Sequence, residues 1–162
     1  MARAAQAKAR PQQGTPRSAR PRRPLAGDDA SEVQAFLDGF AAAVTAGDGK
    51  AAAACFDYPA LMVMGDATQP LEEPEAVAAF FAQAPEQYHA KGIEDTRADI
   101  QDVEWLNDRL VLVRTHFPYL DAAGADTGDG ETSLYLMRRR KDGSLGLCVA
   151  VPLGTDSGRD AP

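Results

Sequence analysis

The sequence predicts an α+β domain in which three helices and one strand come first and an antiparallel sheet follows. Three observations support this class. Apolar residues recur at helical spacing in the segments before residue 92. After residue 95, apolar segments of strand length alternate with short polar turns. Helical segments followed by a run of strands, with no internal repeat, are typical of α+β proteins.

The first two helices are predicted from one apolar stripe and from their end signals. Residues 31–46, SEVQAFLDGFAAAVTA, carry this stripe, which consists of Val33, Phe36, Leu37, Phe40 and Val44. Ser31 and Gln34 have the spacing of a capping box, so the helix is expected to begin at Ser31. Gly47 is expected to end the first helix, and Asp48 can cap a short second helix, GKAAAACF.

A third helix is predicted to begin near Pro74, because proline is favourable in the first turn of a helix. Pro85 should break or kink this helix, and a final turn, EQYHAKG, then ends at Gly92. A buried strand, YPALMVMG at residues 58–65, precedes the third helix. Its Pro59 is expected at the strand start, where a missing N–H does least harm.

The later strands are predicted as TRADIQDVEWL, RLVLVRTHFPYL, ETSLYLMRRR and SLGLCVAVPL. Asn107-Asp108 and Asp142-Gly143 form tight turns between them, and residues 121–130 form a polar loop. The acidic residues of this loop lack the spacing of a calcium-binding loop. No metal site and no cofactor are therefore expected.

The chain is predicted to divide into a disordered basic tail at residues 1–28, a domain at 29–155 and a disordered C-terminus at 156–162. Residues 1–24 hold seven basic residues and no acidic one, which leaves 10 basic and 24 acidic residues, a net charge of −14, in the rest. Such a body repels phosphate backbones, so the folded domain is not expected to bind nucleic acid. A basic tail that touches nucleic acid or anionic lipid stays open.

The two cysteines, Cys55 and Cys148, lie far apart in apolar segments, without a second thiol or a histidine at metal-ligand spacing. A disulfide framework and a zinc site are therefore not expected, and a reducing cytoplasm is the expected compartment. Because no apolar run approaches the ~20 residues that span a bilayer, no membrane partner is expected.

The order helix, TAGDGKAAAACF, strand, helix and then four strands with a hairpin after LMRRRKDG resembles the nuclear transport factor 2-like superfamily. That superfamily includes ketosteroid isomerases and polyketide cyclases of the SnoaL type. The resemblance covers nearly all of residues 29–155. It implies a conical α+β barrel, in which three N-terminal helices pack on a strongly curved, mostly antiparallel sheet around one deep cavity. It also implies a homodimer formed through the outer face of the sheet.

The catalytic set of the isomerases is incomplete in this chain. The resemblance places the helix tyrosine of that set at Phe40, the general base at Met64 and the protonated acid at Tyr135. That chemistry needs a carboxylate base and two neutral hydrogen-bond donors for an enolate. Because two of the three groups are missing, the protein is not expected to be a ketosteroid isomerase.

The strand RLVLVRTHFPYL allows two opposite orientations. Its apolar pattern alone places Arg114 and His116 on the outer face and buries the alternate set, which is Val111, Val113, Thr115 and Phe117. The resemblance, aligned without gaps from Asn107-Asp108, instead turns Arg114 and His116 into the cavity together with Leu112. We adopt this second orientation. Its register also turns inward Ser133, Tyr135, Met137, Gly146, Cys148 and Ala150, and leaves outside Leu145, Leu147 and Val149.

The adopted register predicts a cavity for a small acidic or carbonyl-bearing molecule. Arg114 offers a fork for a carboxylate or enolate, His116 can transfer a proton, and Tyr135 can donate to an oxyanion. His116 and Tyr135 are the predicted catalytic residues of a cofactor-free isomerase, cyclase or dehydratase. The predicted ligand-binding residues are Arg114, Leu112, Ser133, Met137, Phe40 and Met64. A non-catalytic dimerisation or protein-interaction module is the alternative, and the sequence does not decide between the two classes.

Overall fold

The structure of the protein, a computed structural model, describes residues 27–155. Within them, the helices are α1 Gly27–Thr45, α2 Gly49–Ala54, α3 Pro74–Ala82 and α4 Ala84–His89. The strands are β1 Phe56–Val63, β2 Thr68–Leu71, β3 Asp95–Thr96, β4 Asp99–Trp105, β5 Leu110–Leu120, β6 Asp126–Arg139 and β7 Leu145–Thr155. The predicted C-terminal segment and all but the last two residues of the predicted tail lie outside the described residues.

Helix α1 begins at Gly27, so the prediction that Ser31 caps it is wrong. The earlier start is explained by contacts of the first turns with β6. Asp29 and Glu32 lie 3.6 and 2.8 Å from the guanidinium nitrogens of Arg139. Acidic side chains also interact favourably with a helix N-terminus. Gln34, the predicted partner in the cap, donates instead to the backbone oxygen of Ala98.

The other predicted helix signals are confirmed. The Asp48 side chain accepts a hydrogen bond of 3.0 Å from the backbone N–H of Ala51 and caps α2. Helix α3 ends at Ala82 and α4 begins at Ala84, so the helix is interrupted at Gln83 and Pro85 lies in the first turn of α4. The result is a short, separate helix, α4, which has no fully buried residue.

The sheet has the strand order β2-β1-β7-β6-β5-β3, and β4 also pairs with β5. All pairs are antiparallel except β1 with β7. The predicted α+β class, with helices packed on a mostly antiparallel sheet, is confirmed. The sheet is not closed, because β2 and β3 do not pair with each other.

Several strand boundaries differ from those predicted. Strand β2 was not predicted; it contains Pro70 and lies at the edge of the sheet, where a missing N–H is tolerated. The strand predicted over residues 96–106 is divided into β3 and β4. Strand β6 begins at Asp126, so the predicted loop 121–130 shortens. Strand β1 begins at Phe56, which places Pro59 inside it, where the pairing with β7 is irregular.

The core lies between α1 and one face of the sheet, here called the inner face. On α1, Val33 and Leu37 are completely buried. On β5 the buried residues alternate with more exposed ones, and Val111, Val113 and Thr115 are completely buried. A side chain on every second residue of a strand points to the same face. This alternation defines which residues of the sheet face the helices.

Candidate functional site

A cavity of about 310 Å³ lies between the helices and the inner face of the sheet. Helix α1 contributes Phe40, Ala41 and Val44 to its wall, and α3 and α4 cover it. Strands β5, β6 and β7 form the opposite wall. A cavity remains here because small side chains, Ala41 and Ala150, occupy positions where larger residues would fill the space.

The deeper part of the cavity is aromatic. Phe81 packs edge-on against Phe40 at 5.6 Å between ring centroids and stacks on Phe56 at 6.0 Å. The ring of Tyr135 lies 6.3 Å from Phe40 and 6.3 Å from Phe117, both edge-on. These rings pack against one another on the cavity wall. They provide a rigid apolar surface, since edge-to-face pairs restrict one another.

The polarity of the cavity changes along β6. Glu131, Ser133, Tyr135 and Met137 occupy alternate positions, so they share the inner face. Met137 is completely buried in the core, while the other three line the cavity. The side chains therefore change from apolar to hydroxyl-bearing to carboxyl-bearing from the end of β6 towards its middle. One end of the cavity is consequently polar.

The polar end is centred on the carboxyl group of Glu131. The hydroxyl of Tyr119, on the neighbouring strand β5, donates a hydrogen bond of 3.3 Å to Glu131 Oε2. Burial raises the pKa of Glu131 above its ordinary value, while the Tyr119 hydrogen bond and the charge of Lys91 act in the opposite direction. A half-buried carboxyl group therefore lies in the wall of a mainly apolar cavity.

Three phenols stand around this carboxyl group. Burial raises the pKa of Tyr88, Tyr119 and Tyr135, and the negative charge of Glu131 raises each pKa further. The Ser133 hydroxyl opposes the shift at Tyr135 through a hydrogen bond. All three phenols therefore stay protonated near neutral pH and can act as hydrogen-bond donors.

Thr96 on β3 adds a polar group without a partner. It lines the cavity beside Tyr119, its register partner on β5. Its hydroxyl oxygen is buried and forms no hydrogen bond in the described part of the chain. An unsatisfied buried hydroxyl costs about 1–3 kcal/mol, and at Thr96 a polar group of a ligand in the cavity could reduce this cost.

Arg114 and His116 lie on the outer face, so the adopted orientation of β5 is wrong. Arg114 is exposed, and its Nε donates to Gln101 Oε1 at 3.1 Å. The His116 ring packs against Gly130, with Nδ1 3.2 Å from the Thr132 hydroxyl. The apolar pattern alone gave the correct orientation. This orientation is favoured because burying the apolar side chains on the other face of β5 removes more nonpolar surface from water than burying Arg114 and His116 would.

The remaining predicted ligand-binding residues lie in different parts of the structure. Phe40, Ser133 and Tyr135 line the cavity, and Met137 faces inward but is enclosed in the core. Leu112 lies on the outer face because it pairs with Leu136 and alternates with the buried residues of β5. Met64 is exposed beyond the end of β1, and Met62 lines the cavity in its place. The structure thus does not bring the predicted catalytic pair together.

A bulge explains the errors on β7. Between Leu136 and Met137 the pairing with β7 shifts by one residue, so Met137 faces Leu147 while Leu136 faces Val149. Ala150 lines the cavity as predicted and Val149 lies outside. Leu145 and Leu147, which were predicted to lie outside, are buried in the core. Gly146 and Cys148 do not line the cavity. A gap-free register cannot anticipate such an inserted residue.

The sequence reasoning missed Glu131, Tyr119 and Tyr88. A signal for Glu131 was present, since extending the inward set Ser133, Tyr135 and Met137 by two residues reaches it. Within residues 27–155, no three side chains of the kinds that bind metals come close enough together to hold an ion.

The fold and the cavity define an NTF2-like α+β protein. The family described as NTF2-like protein (DUF6841) matches residues 31–155, and the chain belongs to it. No curated protein sequence matches the chain. None of the helices within the described range has both the length and the apolar character needed to cross a membrane.

Solved structures of similar fold come from several bacteria. A Nostoc punctiforme domain of unknown function with a cystatin-like fold has a TM-score of 0.61 at 21% identity and covers 79% of this chain and 78% of its own. An NTF2-like protein from Novosphingobium aromaticivorans has a TM-score of 0.57 at 16% identity, covering 83% and 86%. A ketosteroid isomerase-like protein from Erwinia carotovora atroseptica has a TM-score of 0.56 at 15% identity, covering 80% and 99%. At these identities the similarity establishes the fold alone.

Proposed function

We propose that the protein binds a small, mainly apolar molecule in this cavity, with one polar group of the ligand placed at Glu131. The observation that carries the proposal is the arrangement of the wall. An aromatic base built on Phe40, Phe56 and Phe81 lies at one end, and a carboxyl group with a phenol lies at the other. Ligand cavities typically combine a predominantly apolar lining with a few placed polar groups and begin at about 300 Å³.

The position of Arg114 changes the expected ligand. An acidic ligand was expected because Arg114 offers a fork for a carboxylate, but this side chain lies on the outer face. The ionisable group that is half-buried in the cavity wall is itself an acid, Glu131. Two carboxylates close together repel each other, so the proposed ligand is neutral or cationic.

The proposal is tested by thermal unfolding of the full chain with acetophenone and 2-phenylethanol. A ligand that binds only the folded state, at about 100 times its dissociation constant, adds about 2.7 kcal/mol and raises Tm by several degrees. Ala150→Phe, which fills the cavity, should abolish the shift. Val151→Phe is the matched control, because Val151 is the next residue and pairs with Leu134 on the outer face. Equal shifts in both variants would contradict binding in the cavity.

Cofactor-free proton transfer is a second candidate function, and the raised pKa of Glu131 favours it. In this version Glu131 takes the role predicted for His116, and Tyr135 remains the donor to a developing oxyanion. The test is exchange of the methyl protons of acetophenone in D2O, followed by NMR. Catalysed exchange that is lost in Glu131→Gln is the expected result. Exchange at the same rate with and without protein would remove this candidate.

Two further proposals concern the partner of the protein and its compartment. A second copy of the chain is the proposed partner, bound through the outer face of the sheet, where apolar residues remain partly exposed. The cytoplasm is the proposed compartment. It is supported by Cys55 and Cys148, which are both free thiols.

A further inference from the structure

We propose that the cavity selects a cationic amine, whose ammonium group pairs with the Glu131 carboxylate between the rings of Tyr88 and Tyr119. This inference rests on the proposed function and specifies its ligand class. The apolar body of the amine would lie on the aromatic base at Phe40, Phe56 and Phe81. The inference depends on three features of the polar end: an acceptor that is incompletely paired, aromatic faces beside it and a negative surrounding field.

The first feature is the state of the carboxyl group. From the described residues Glu131 receives one hydrogen bond, from the Tyr119 hydroxyl to Oε2 at 3.3 Å, which is long for a bond to a carboxylate. A carboxylate has about four acceptor positions, so one long bond leaves most of them for a ligand. An ammonium group has three donors and no acceptor, and it complements such a group better than a hydroxyl does.

The second feature is the pair of aromatic rings at the same end. Tyr88 from α4 and Tyr119 from β5 lie 6.2 Å apart between ring centroids, at 49° to each other. Both line the cavity with Glu131. Ring faces attract cations through their quadrupole, most strongly where water is excluded. A pair of aromatic rings beside a carboxylate therefore stabilises a ligand with a protonated amine and does not stabilise a ligand with an ionised acid group.

The third feature is the charge of the domain. Residues 27–155 carry 9 basic and 22 acidic side chains, a net charge of −13, which attracts cations and repels anions. Lys91 opposes this at the cavity wall, where it lowers the pKa of Glu131 through its charge. Its side chain is exposed, and salt screens exposed charges. Lys91 therefore weakens the selection for a cation without reversing it.

The test uses three probes with the same carbon skeleton, 2-phenylethylamine, 2-phenylethanol and phenylacetate, titrated against the full chain by calorimetry. In the wild type we expect the amine to bind most tightly and phenylacetate most weakly. Glu131→Gln keeps the side-chain volume and removes the charge. It should weaken amine binding by about tenfold or more, because hydrogen bonds to charged groups contribute that much, and should change alcohol binding by less than about threefold.

Two further variants distinguish the effect of the Glu131 carboxylate from the effect of the overall surface charge. Asp66→Asn removes one negative charge from the exposed turn between β1 and β2 and should leave amine binding unchanged, because Asp66 does not line the cavity. Lys91→Gln should tighten amine binding. Equal weakening by Asp66→Asn and Glu131→Gln would overturn the inference, since only the overall charge would then matter.

The wild-type order of affinities tests the inference without requiring that any variant folds. If 2-phenylethanol or phenylacetate binds as tightly as the amine, the inference is wrong while binding in the cavity stands. If none of the three probes binds, and Ala150→Phe changes nothing, the proposed function fails with it.

Discussion

At the scale of single residues, the electrostatics of the cavity depend mainly on Glu131. Its side chain reaches the inner face because Glu131 pairs with Phe117 of β5, which also faces inward, although the alternation of burial along β6 is interrupted at Thr132. Burial penalises the charged carboxylate, and the Tyr119 hydroxyl compensates only in part. Glu131 is therefore a residue whose ionisation should cost folding free energy when no ligand is bound.

This cost predicts a pH dependence for Glu131→Gln. Because burial raises the folded-state pKa, the stabilisation due to protonated Glu131 is complete below its ordinary value of 4.5 and is lost as the pH rises through the folded pKa. The free energy of unfolding of the variant, relative to wild type, should therefore increase as the pH rises above 4.5. Urea unfolding of both proteins at each pH measures it. A constant difference would mean that the pKa is not raised.

Asp142→Asn is the control with the opposite sign. Hydrogen bonds from the Ser144 hydroxyl and backbone N–H lower the pKa of Asp142. Its contribution to stability is present above the ordinary value and is lost as the pH falls. The free energy of unfolding of this variant, relative to wild type, should therefore fall as the pH rises to the ordinary value of 3.8 and stay constant above it, where the Glu131→Gln difference increases.

A second residue-scale prediction concerns Thr115. Its side chain is 0% exposed, and its hydroxyl forms no hydrogen bond in the part of the chain that the structure describes. Thr115→Val keeps the shape and removes the unsatisfied group, so it should raise the free energy of unfolding by about 1 kcal/mol. Thr132→Val is the control, because its hydroxyl contacts His116 Nδ1 at 3.2 Å and its loss should destabilise. Destabilisation by Thr115→Val would reveal a partner for its hydroxyl.

At the scale of elements, α2 and α3 pack so closely that one glycine is required. A Cβ on Gly49 would overlap the backbone oxygen and carbon of Ala78. Gly39, on the exposed side of α1, has nothing within 4 Å of a Cβ. Gly39→Ala should stabilise by roughly 0.5–1 kcal/mol through helix propensity, whereas Gly49→Ala should destabilise by about 1–3 kcal/mol through steric overlap. Chemical denaturation of both variants compares them, and a tolerated Gly49→Ala would mean that α2 and α3 separate easily.

The same scale shows how far the sequence predicts the structure. Helical stripes, the Asp48 cap and the break at Pro85 depend on neighbouring residues, and they were predicted correctly. The positions of site residues depend on strand register, and a shift of one residue exchanges the two faces. On β5 the apolar pattern placed Arg114 correctly on the outer face, but the resemblance led to the opposite orientation. On β7 a bulge near Val149 could not be predicted from one sequence.

At the scale of the whole molecule, the outer face carries an apolar stripe that none of the helices within residues 27–155 covers. It crosses four neighbouring strands at positions paired with one another and consists of Leu61, Leu112, Leu134, Leu136, Val149 and Val151. All six are exposed or half-buried. Charged residues of both signs flank the stripe, with Arg114 and Arg138 on β5 and β6 and with Asp102 and Glu104 on β4. A two-fold axis through the stripe would bring basic residues of one copy to acidic residues of the other.

The stripe therefore predicts a homodimer in solution. The full chain should sediment with about twice its 17.2 kDa mass. Leu136→Glu places a charge at the centre of the stripe and should shift the mass towards that of one chain, because burying an unpaired carboxylate costs several kcal/mol. Leu106→Glu is the matched control, since Leu106 is 49% exposed in the turn after β4. A wild-type mass of one chain, or dissociation by Leu106→Glu alone, would assign the stripe another role.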